Sequence, residues 1–270
     1  MKKRILAVTD LHCGHLVGLT PPAWHIKRPS RSTTKRSKWA KIQEELWCAF
    51  EALLAKHAPY DLCLSAGDLI DGQAQRSGSS ELITSDREEQ ADMAVECFNT
   101  IRLFANKGYE VIGCYGTAYH VGAEEDWENI IAARAGFKKM GSHEWVRAKG
   151  TKTVIDLKHQ CGSSQYPHTS FTAVAAQRLH NLLWAERKAQ PKADIILRGH
   201  VHRHSFCGQP GWLAMTLPAL QGMGTKYGAR RCSGLVDWGI TVIDVDDKGG
   251  FDWTVETVLV DSQRAKVVSV

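Results

Sequence analysis

The stretch DIILRGHVHRH, Asp194 to His204, is an apolar run that stops at a glycine and then places histidines at 200, 202 and 204. In an extended backbone alternate side chains share one face, so these imidazoles either wet a strand end or converge on an ion. The same kind of ending recurs along the chain. RILAVT leads into DLHCGH, with Asp10 and His12; YDLCLSA leads into GDLID, with Asp68 and Asp71. YEVIGCY leads into GTAYH, with Thr117 and His120, and KTVIDLK is followed by His159. A single D-x-H or G-D is by itself a cap or a turn, and a single His is an ordinary strand-end residue. Five strand ends carrying carboxylates and imidazoles in one chain read as one metal-binding cluster. That donor set suits Mn, Fe or Zn. An ion held this way can activate a water, so no serine or cysteine nucleophile is required.

The elements that must position these residues follow from the apolar pattern. Short β-branched runs separated by helical patterns predict an α/β fold, whose ligand sites lie beyond the carboxyl ends of the strands. Trp39, Ile42, Leu46, Phe50 and Leu53 recur at helical spacing. Ser85 followed by Glu88 predicts a capping box for a helix burying Met93, Cys97, Ile101 and Phe104, with Gly108 past its end. Phe171, Val174, Gln177, Leu179, Leu182 and Leu183 predict a third amphipathic helix. GITVIDV and FDWTVETVLV, joined by DDKGG, predict an antiparallel hairpin.

At 270 residues and 43% hydrophobic the chain can bury a sizeable core, and one domain over residues 1–270 is expected. No stretch approaches the roughly 20 apolar residues of a membrane span, and MKKRILAVTD is too short in apolar residues for a signal peptide. The eight cysteines, spread without a C-x-x-C, read as reduced thiols. The expectation is a soluble cytoplasmic protein, in the host cytoplasm if the chain is phage-encoded. The net charge of +5 does not by itself indicate a nucleic-acid partner.

In order, D-x-H, G-D-x-x-D, a glycine-led segment with a His, a strand-terminal His and G-H-x-H resemble the calcineurin-like metallophosphoesterase superfamily. The match runs from Asp10 to His202. The chain is also similar to phage and prophage members, and distantly to the DNA-repair exonuclease branch. The resemblance implies a four-layer α/β/β/α sandwich of two mixed sheets with two divalent metal ions, manganese first, iron or zinc as alternatives. By position, Asp10, His12 and His202 would hold the first ion, His159 and His200 the second, and Asp68 would bridge them. Asp71 would support the bridge. His204 has no counterpart and reads as a polar strand residue. Where the family has G-N-H, this chain has GTAYHVG, with Thr117 and Ala118 in place of Asn and His. His120 is the expected replacement, as a ligand of the second ion or as the group facing the phosphate. Cys13 and Cys161, beside expected ligands, read as non-ligating.

The substrate is read from charge. Trp24 to Lys41 holds Lys27, Arg28, Arg31, Lys35, Arg36, Lys38 and Lys41 and no acid, and is expected as a basic insertion loop at about 16–40. With Trp24 and Trp39 between the cations, such a loop could track a sugar-phosphate backbone and stack a base; otherwise it is a solvated loop. Arg230 and Arg231 form a second basic patch. The expected activity is a two-metal phosphodiesterase, a nuclease on DNA or RNA. The alternatives are hydrolysis of a small phosphoester, such as a cyclic nucleotide or a phosphomonoester, and a metal-stabilised nucleic-acid-binding protein without catalysis.

Overall fold

In the computed structural model the described residues are 2–26, 35–75, 78–122, 126–162, 169–223, 235–265 and 267–269, with backbone alone for 35–37. The first half supplies β1 (Lys2–Val8), α1 (Lys35–His57), β2 (Tyr60–Ser65), α2 (Arg87–Leu103), β3 (Ala105–Cys114), the single turn α3 (Ala118–Val121) and α4 (Asp126–Arg134). The strands β4 (Lys139–Gly141), β5 (Glu144–Val146) and β6 (Ile155–Lys158) follow, then α5 (Thr172–Glu186) and β7 (Ile195–Arg198). The chain continues through β8 (Ser205–Gln209), β9 (Trp212–Thr216), β10 (Gly239–Asp246) and β11 (Phe251–Thr257).

Two mixed sheets result. One runs β11-β10-β1-β2-β3-β4 and the other β5-β6-β7-β9-β8. Strands β1, β2, β3 and β4 are parallel neighbours, as are β6, β7 and β9, whereas β10 and β11 form the expected antiparallel hairpin. Side-chain alternation explains the layering. Ile5 and Ala7 of β1 join Leu62, Leu64, Ile155, Leu157, Ile195 and Leu197 between the sheets. Leu6 and Val8 face the other way, onto Ile42, Phe50, Ala94 and Phe98 of α1 and α2. The outer face of the second sheet is covered by α5 through Val174, Ile196 and Ala214. The order is therefore α/β/β/α. A fully buried aliphatic side chain in these layers contributes roughly 1.5–3 kcal/mol.

Four local expectations differ from what forms. The cap of α2 is Asp86, not Ser85: its carboxylate accepts the Glu88 N–H at 2.9 Å, while the Thr84 hydroxyl accepts the Asp86 N–H at 3.2 Å and shifts the helix start by one residue. Helix α2 ends at Phe104, and Gly108 lies inside β3, at φ +85°, where the β2–β3 register shifts. Leu179, Leu182 and Leu183 of α5 are exposed. The sheet side of α5 is partly polar instead: Gln177 accepts from the buried Arg198, and Asn181 exchanges bonds with Pro191 and Ala193. Finally, Lys35 to Ala40 are helical rather than loop, and Val17 and Leu19 are buried core. The rings of Trp24 and Trp39 are partly buried against that core.

Candidate metal centre

The loops leaving β1 and β2 stay hydrogen-bonded beyond the sheet. Asp10, His12 and Cys13 donate their N–H groups to the carbonyls of Gly67, Asp68 and Leu69 at 2.9, 3.0 and 3.0 Å. Likewise Gly199, after β7, donates to the carbonyl of His159, after β6, at 2.9 Å. Two glycines permit the closest approaches. A Cβ on Gly116 would lie 2.2 Å from Asp68 Oδ1, and one on Gly199 would lie 2.2 Å from Thr9 Oγ1.

Two sets of donor atoms result, each within 4.8 Å: Asp10, His12 and His202, and Asp68, His159 and His200. Asp68 lies between them, with Oδ2 3.1 Å from His159 Nε2 and 3.9 Å from His12 Nε2. A third set, His12, Asp71 and His120, has a different character. There His12 turns Nδ1 to Asp71 Oδ1 at 2.9 Å and Nε2 toward Asp10 and His202. A carboxylate on one ring nitrogen fixes the tautomer and leaves the other free to ligate. His159 is held the same way: Nδ1 faces the Ala66 carbonyl at 2.6 Å, and a carbonyl only accepts, so Nδ1 carries the proton and Nε2 faces Asp68.

The backbone at these residues is unusual. Asp10, His12, Asp68, His200 and His202 all have φ between +45° and +75°. Left-handed backbone is uncommon outside glycine and persists where surrounding structure enforces it, characteristically at functional sites. His200 and His202 are therefore not alternate residues of an extended strand. The segment turns after Arg198, and the turn sends His200 to the Asp68 set and His202 to the Asp10 set.

The buried polar atoms fit a cation. Asp10 Oδ2 accepts from the Thr9 hydroxyl at 2.6 Å and the His200 N–H at 3.0 Å, but the buried Oδ1 has no aligned hydrogen bond, although His202 Nε2 lies 3.0 Å away. His12 Nε2 and His202 Nε2 face each other at 3.2 Å. Donor atoms that converge in this way can share a divalent ion. The buried carboxylates are correspondingly poised as anions: burial opposes the charge of Asp71, yet His12, His15 and His120 hold its pKa down at about 2.

Sequence reasoning missed several supports. Glu128 of α4, wholly buried, accepts the Leu69 N–H at 3.1 Å and the Gly116 N–H at 2.7 Å, tying the β2 and β3 loops together beneath Asp68. Burial and the Asp68 charge push its carboxyl up to about 8. Gln90 of α2 holds Gly72 through both N–H and carbonyl, and reaches the Thr84 carbonyl. Thr9 and Glu128 carry no motif that would single them out.

His120 does not join the Asp68 set. The chain enters α3 directly after Thr117, which carries His120 to the other side, its Nδ1 2.9 Å from the Asp71 carbonyl and its ring edge-on to His12. Burial and His12 hold the His120 pKa below its usual value. It is Thr117 that projects its hydroxyl among Asp68, His159 and His200. His204 lies apart, bonded to the Thr216 carbonyl and stacked on Phe206. Cys13 faces Cys97 and the Leu19 carbonyl, and Cys161 packs in the α5 layer. Lys27, Arg28, Arg230 and Arg231 lie outside the described residues; Lys35 and Arg36 open α1, with side chains outside them. Among the described residues no helix is long and apolar enough to cross a membrane.

Protonation gives the first expected result. Burial disfavours the His159 cation, but Asp68 and Asp10 outweigh it and lift the pKa to about 9. A ligating imidazole must lose that proton, so manganese uptake by metal-free protein should release protons, and apparent affinity should rise with pH up to about 9. Without metal the sign reverses: the stability from the raised His159 pKa is fully present below 6.5 and lost as pH rises through about 9. Titration calorimetry in buffers of different ionisation enthalpy measures the release; a pH-independent affinity would exclude His159 as a ligand.

No family model and no curated protein matches the chain. Solved structures do. It is similar to Vacuolar Protein Sorting 29 from Cryptosporidium parvum at 14% identity, over 95% of this chain and 98% of that one, with a TM-score of 0.43. It is similar to an archaeal phosphodiesterase at 12% identity, over 94% and 99% of the two chains, with a TM-score of 0.43. A predicted phosphoesterase from Streptococcus pneumoniae aligns at 11% identity over 95% and 99%, with a TM-score of 0.37.

Proposed function

We propose that the protein hydrolyses phosphoester bonds with two divalent ions held side by side, one by Asp10, His12 and His202, the other by His159 and His200, with Asp68 serving both. The observation that carries this reading is the position of Asp68 Oδ2, which faces a ring nitrogen of each set. When bound, the ions supply an activated water and counter-charge for the phosphoryl oxygens. The protein's part is orientation. Asp71 holds the Nδ1 proton of His12, and the Ala66 carbonyl that of His159, so that each presents an Nε2 lone pair to its set. His120 keeps its proton on Nδ1, against the Asp71 carbonyl, leaving Nε2 free. We assign that Nε2 to the phosphate or the leaving-group oxygen, where a positioned imidazole can hold a hydrogen bond or pass a proton.

The substrate assigned is a nucleic-acid phosphodiester, on the strength of the acid-free segment that includes Lys27, Arg28, Lys35 and Arg36. Manganese-loaded protein should hydrolyse a chromogenic phosphodiester, and single-stranded DNA or RNA should compete with it more strongly than a cyclic nucleotide or a phosphomonoester. Neutralising those four cations should flatten the salt dependence of competition by about 0.7–0.9 log units for each phosphate that is no longer neutralised, and hardly alter turnover of the small ester. Stronger competition by the cyclic nucleotide would move the assignment to a small phosphoester. Failure of the metal-loaded protein to turn over any of these esters would leave a metal-stabilised binding protein.

A further inference from the structure

The hydroxyl of Thr117 stands among the donor atoms of the second set. Oγ1 lies 3.2 Å from Asp68 Oδ2, 3.1 Å from His159 Nε2 and 3.3 Å from His200 Nδ1. A hydroxyl has one proton to give. The Asp68 carboxylate accepts only, and the His159 ring, once it has given up its second proton to ligate an ion, offers only a lone pair here, because the proton it keeps is on Nδ1 against the Ala66 carbonyl. At most one of these two acceptors receives the Thr117 proton, so oxygen lone pairs remain turned toward other donor atoms. The backbone fixes the side chain in place: the Thr117 N–H donates to Asp68 Oδ1 at 2.6 Å, and Gly116, before it, is clamped by Glu128. The spacing is also that of neighbouring ligands, since donors about 2.1 Å from one ion lie about 3.0–3.4 Å from each other.

We propose that the Thr117 hydroxyl is an uncharged donor to the ion held by Asp68, His159 and His200, and that this makes the two neighbouring sites unequal in strength. The inference rests on the two-ion reading above and deepens it. The Asp10 set has a carboxylate of its own in addition to the Asp68 carboxylate it faces, with two imidazoles. The other set has Asp68 alone as an anion, with two imidazoles and a hydroxyl that keeps its proton. Fewer anionic ligands mean weaker binding of a hard divalent cation. The chain is therefore expected to hold one ion tightly and to recruit the second only at higher metal concentration.

Titration of metal-free full-length protein with Mn²⁺, followed by equilibrium dialysis and calorimetry, tests this without measuring hydrolysis. The wild type should bind two ions in steps separated by tenfold or more. Thr117→Val keeps the branched shape and the backbone N–H but removes the oxygen; it should weaken the second step by about 10–100-fold and leave the first unchanged. Thr117→Ser should retain the second step, and Thr117→Asn, which offers an amide carbonyl, should tighten it. A thermal unfolding midpoint of the metal-free variants close to wild type separates ligand loss from misfolding. If Thr117→Val unfolds, the comparison of Thr117→Asn with Thr117→Ser decides, and equal second steps in those two overturn the proposal. Two steps unchanged in Thr117→Val overturn it while leaving the two-ion reading standing; wild-type protein that binds no Mn²⁺ overturns both.

Discussion

Asp68→Asn is expected to lower phosphoester hydrolysis by more than a hundredfold with the fold intact. The case for an intact fold is local. Asp68 is buried, and its φ of +53° lies in the left-handed region, which Asn adopts as readily as Asp. The amide oxygen of Asn can still accept the Thr117 N–H that Oδ1 accepts at 2.6 Å. What is lost is the second oxygen and the charge. Oδ2 is the atom that faces His159 at 3.1 Å and His12 at 3.9 Å, and in the variant an NH₂ group with no lone pair would stand there. The proposed metal sites would lose the anion assigned to both, and the His159 pKa, raised to about 9 mainly by Asp68, should fall toward its ordinary value. Steady-state rates on a chromogenic phosphodiester, metal content and an NMR titration of His159 in metal-free protein check the three parts. Hydrolysis above about a tenth of the wild-type rate would remove Asp68 from its shared role.

Much of this site was legible because strands and ligands are coupled in sequence. In an α/β sheet the loops at strand carboxyl ends converge, so Asp10, Asp68 and His159, each just past an apolar run, had to come near one another. The unbroken apolar run of β1 likewise announced a strand buried on both faces. The backbone at the candidate ligands was not legible. Alternating histidines at 200 and 202 suggested an extended strand, whereas both have positive φ, a conformation enforced by interactions with distant loops such as the bond from the His200 N–H to Asp10. No local rule predicts it.

Positions set by tertiary packing were equally hidden. Thr117 and His120 are three residues apart, and the flanking glycines Gly116 and Gly122 suggested a loop that could re-aim the imidazole; in the structure Thr117, in extended backbone at the start of α3, stands beside Asp68, while His120, within that turn, stands beside Asp71. Glu128 stabilises the Asp68 loop from 59 residues away in sequence. Helix α5 shows the converse error: its leucines predicted a buried stripe, but the sheet it covers presents Arg198, and a buried guanidinium requires polar partners from the helix.

Arg198→Met is expected to destabilise the protein by about 3–5 kcal/mol, the usual cost of removing one partner from a buried ion pair. Arg198 ends β7, buried, two residues before His200. Its Nη1 donates to Asp156 Oδ1 at 2.6 Å, to the Asp156 carbonyl at 3.2 Å and to the Leu197 carbonyl at 2.9 Å, while Nε donates to Gln177 at 3.0 Å. Met matches the stem of the side chain but none of these donors. Among the described residues Asp156, itself buried, would keep the His143 ring, 2.8 Å away, as its remaining side-chain partner. The pH dependence follows from Asp156. Burial raises its pKa, but His143 and Arg198 outweigh that and hold it below the usual carboxylate value. In the wild type this contribution is present above the unfolded pKa and is lost as pH falls through the folded one. In Arg198→Met the burial effect has less opposition, the folded pKa rises, and the deficit relative to wild type should shrink on acidification as the carboxyl takes up a proton. Adding Asp156→Leu should recover part of the loss, because two apolar groups need no partners where one stranded carboxylate does. Urea unfolding of the two single variants and the double variant at pH 5 and pH 8 measures each contribution. A loss below about 1 kcal/mol in Arg198→Met, with no recovery in the double variant, would mean that the pair under the β6–β7 strand ends does not hold the ligand loops in place.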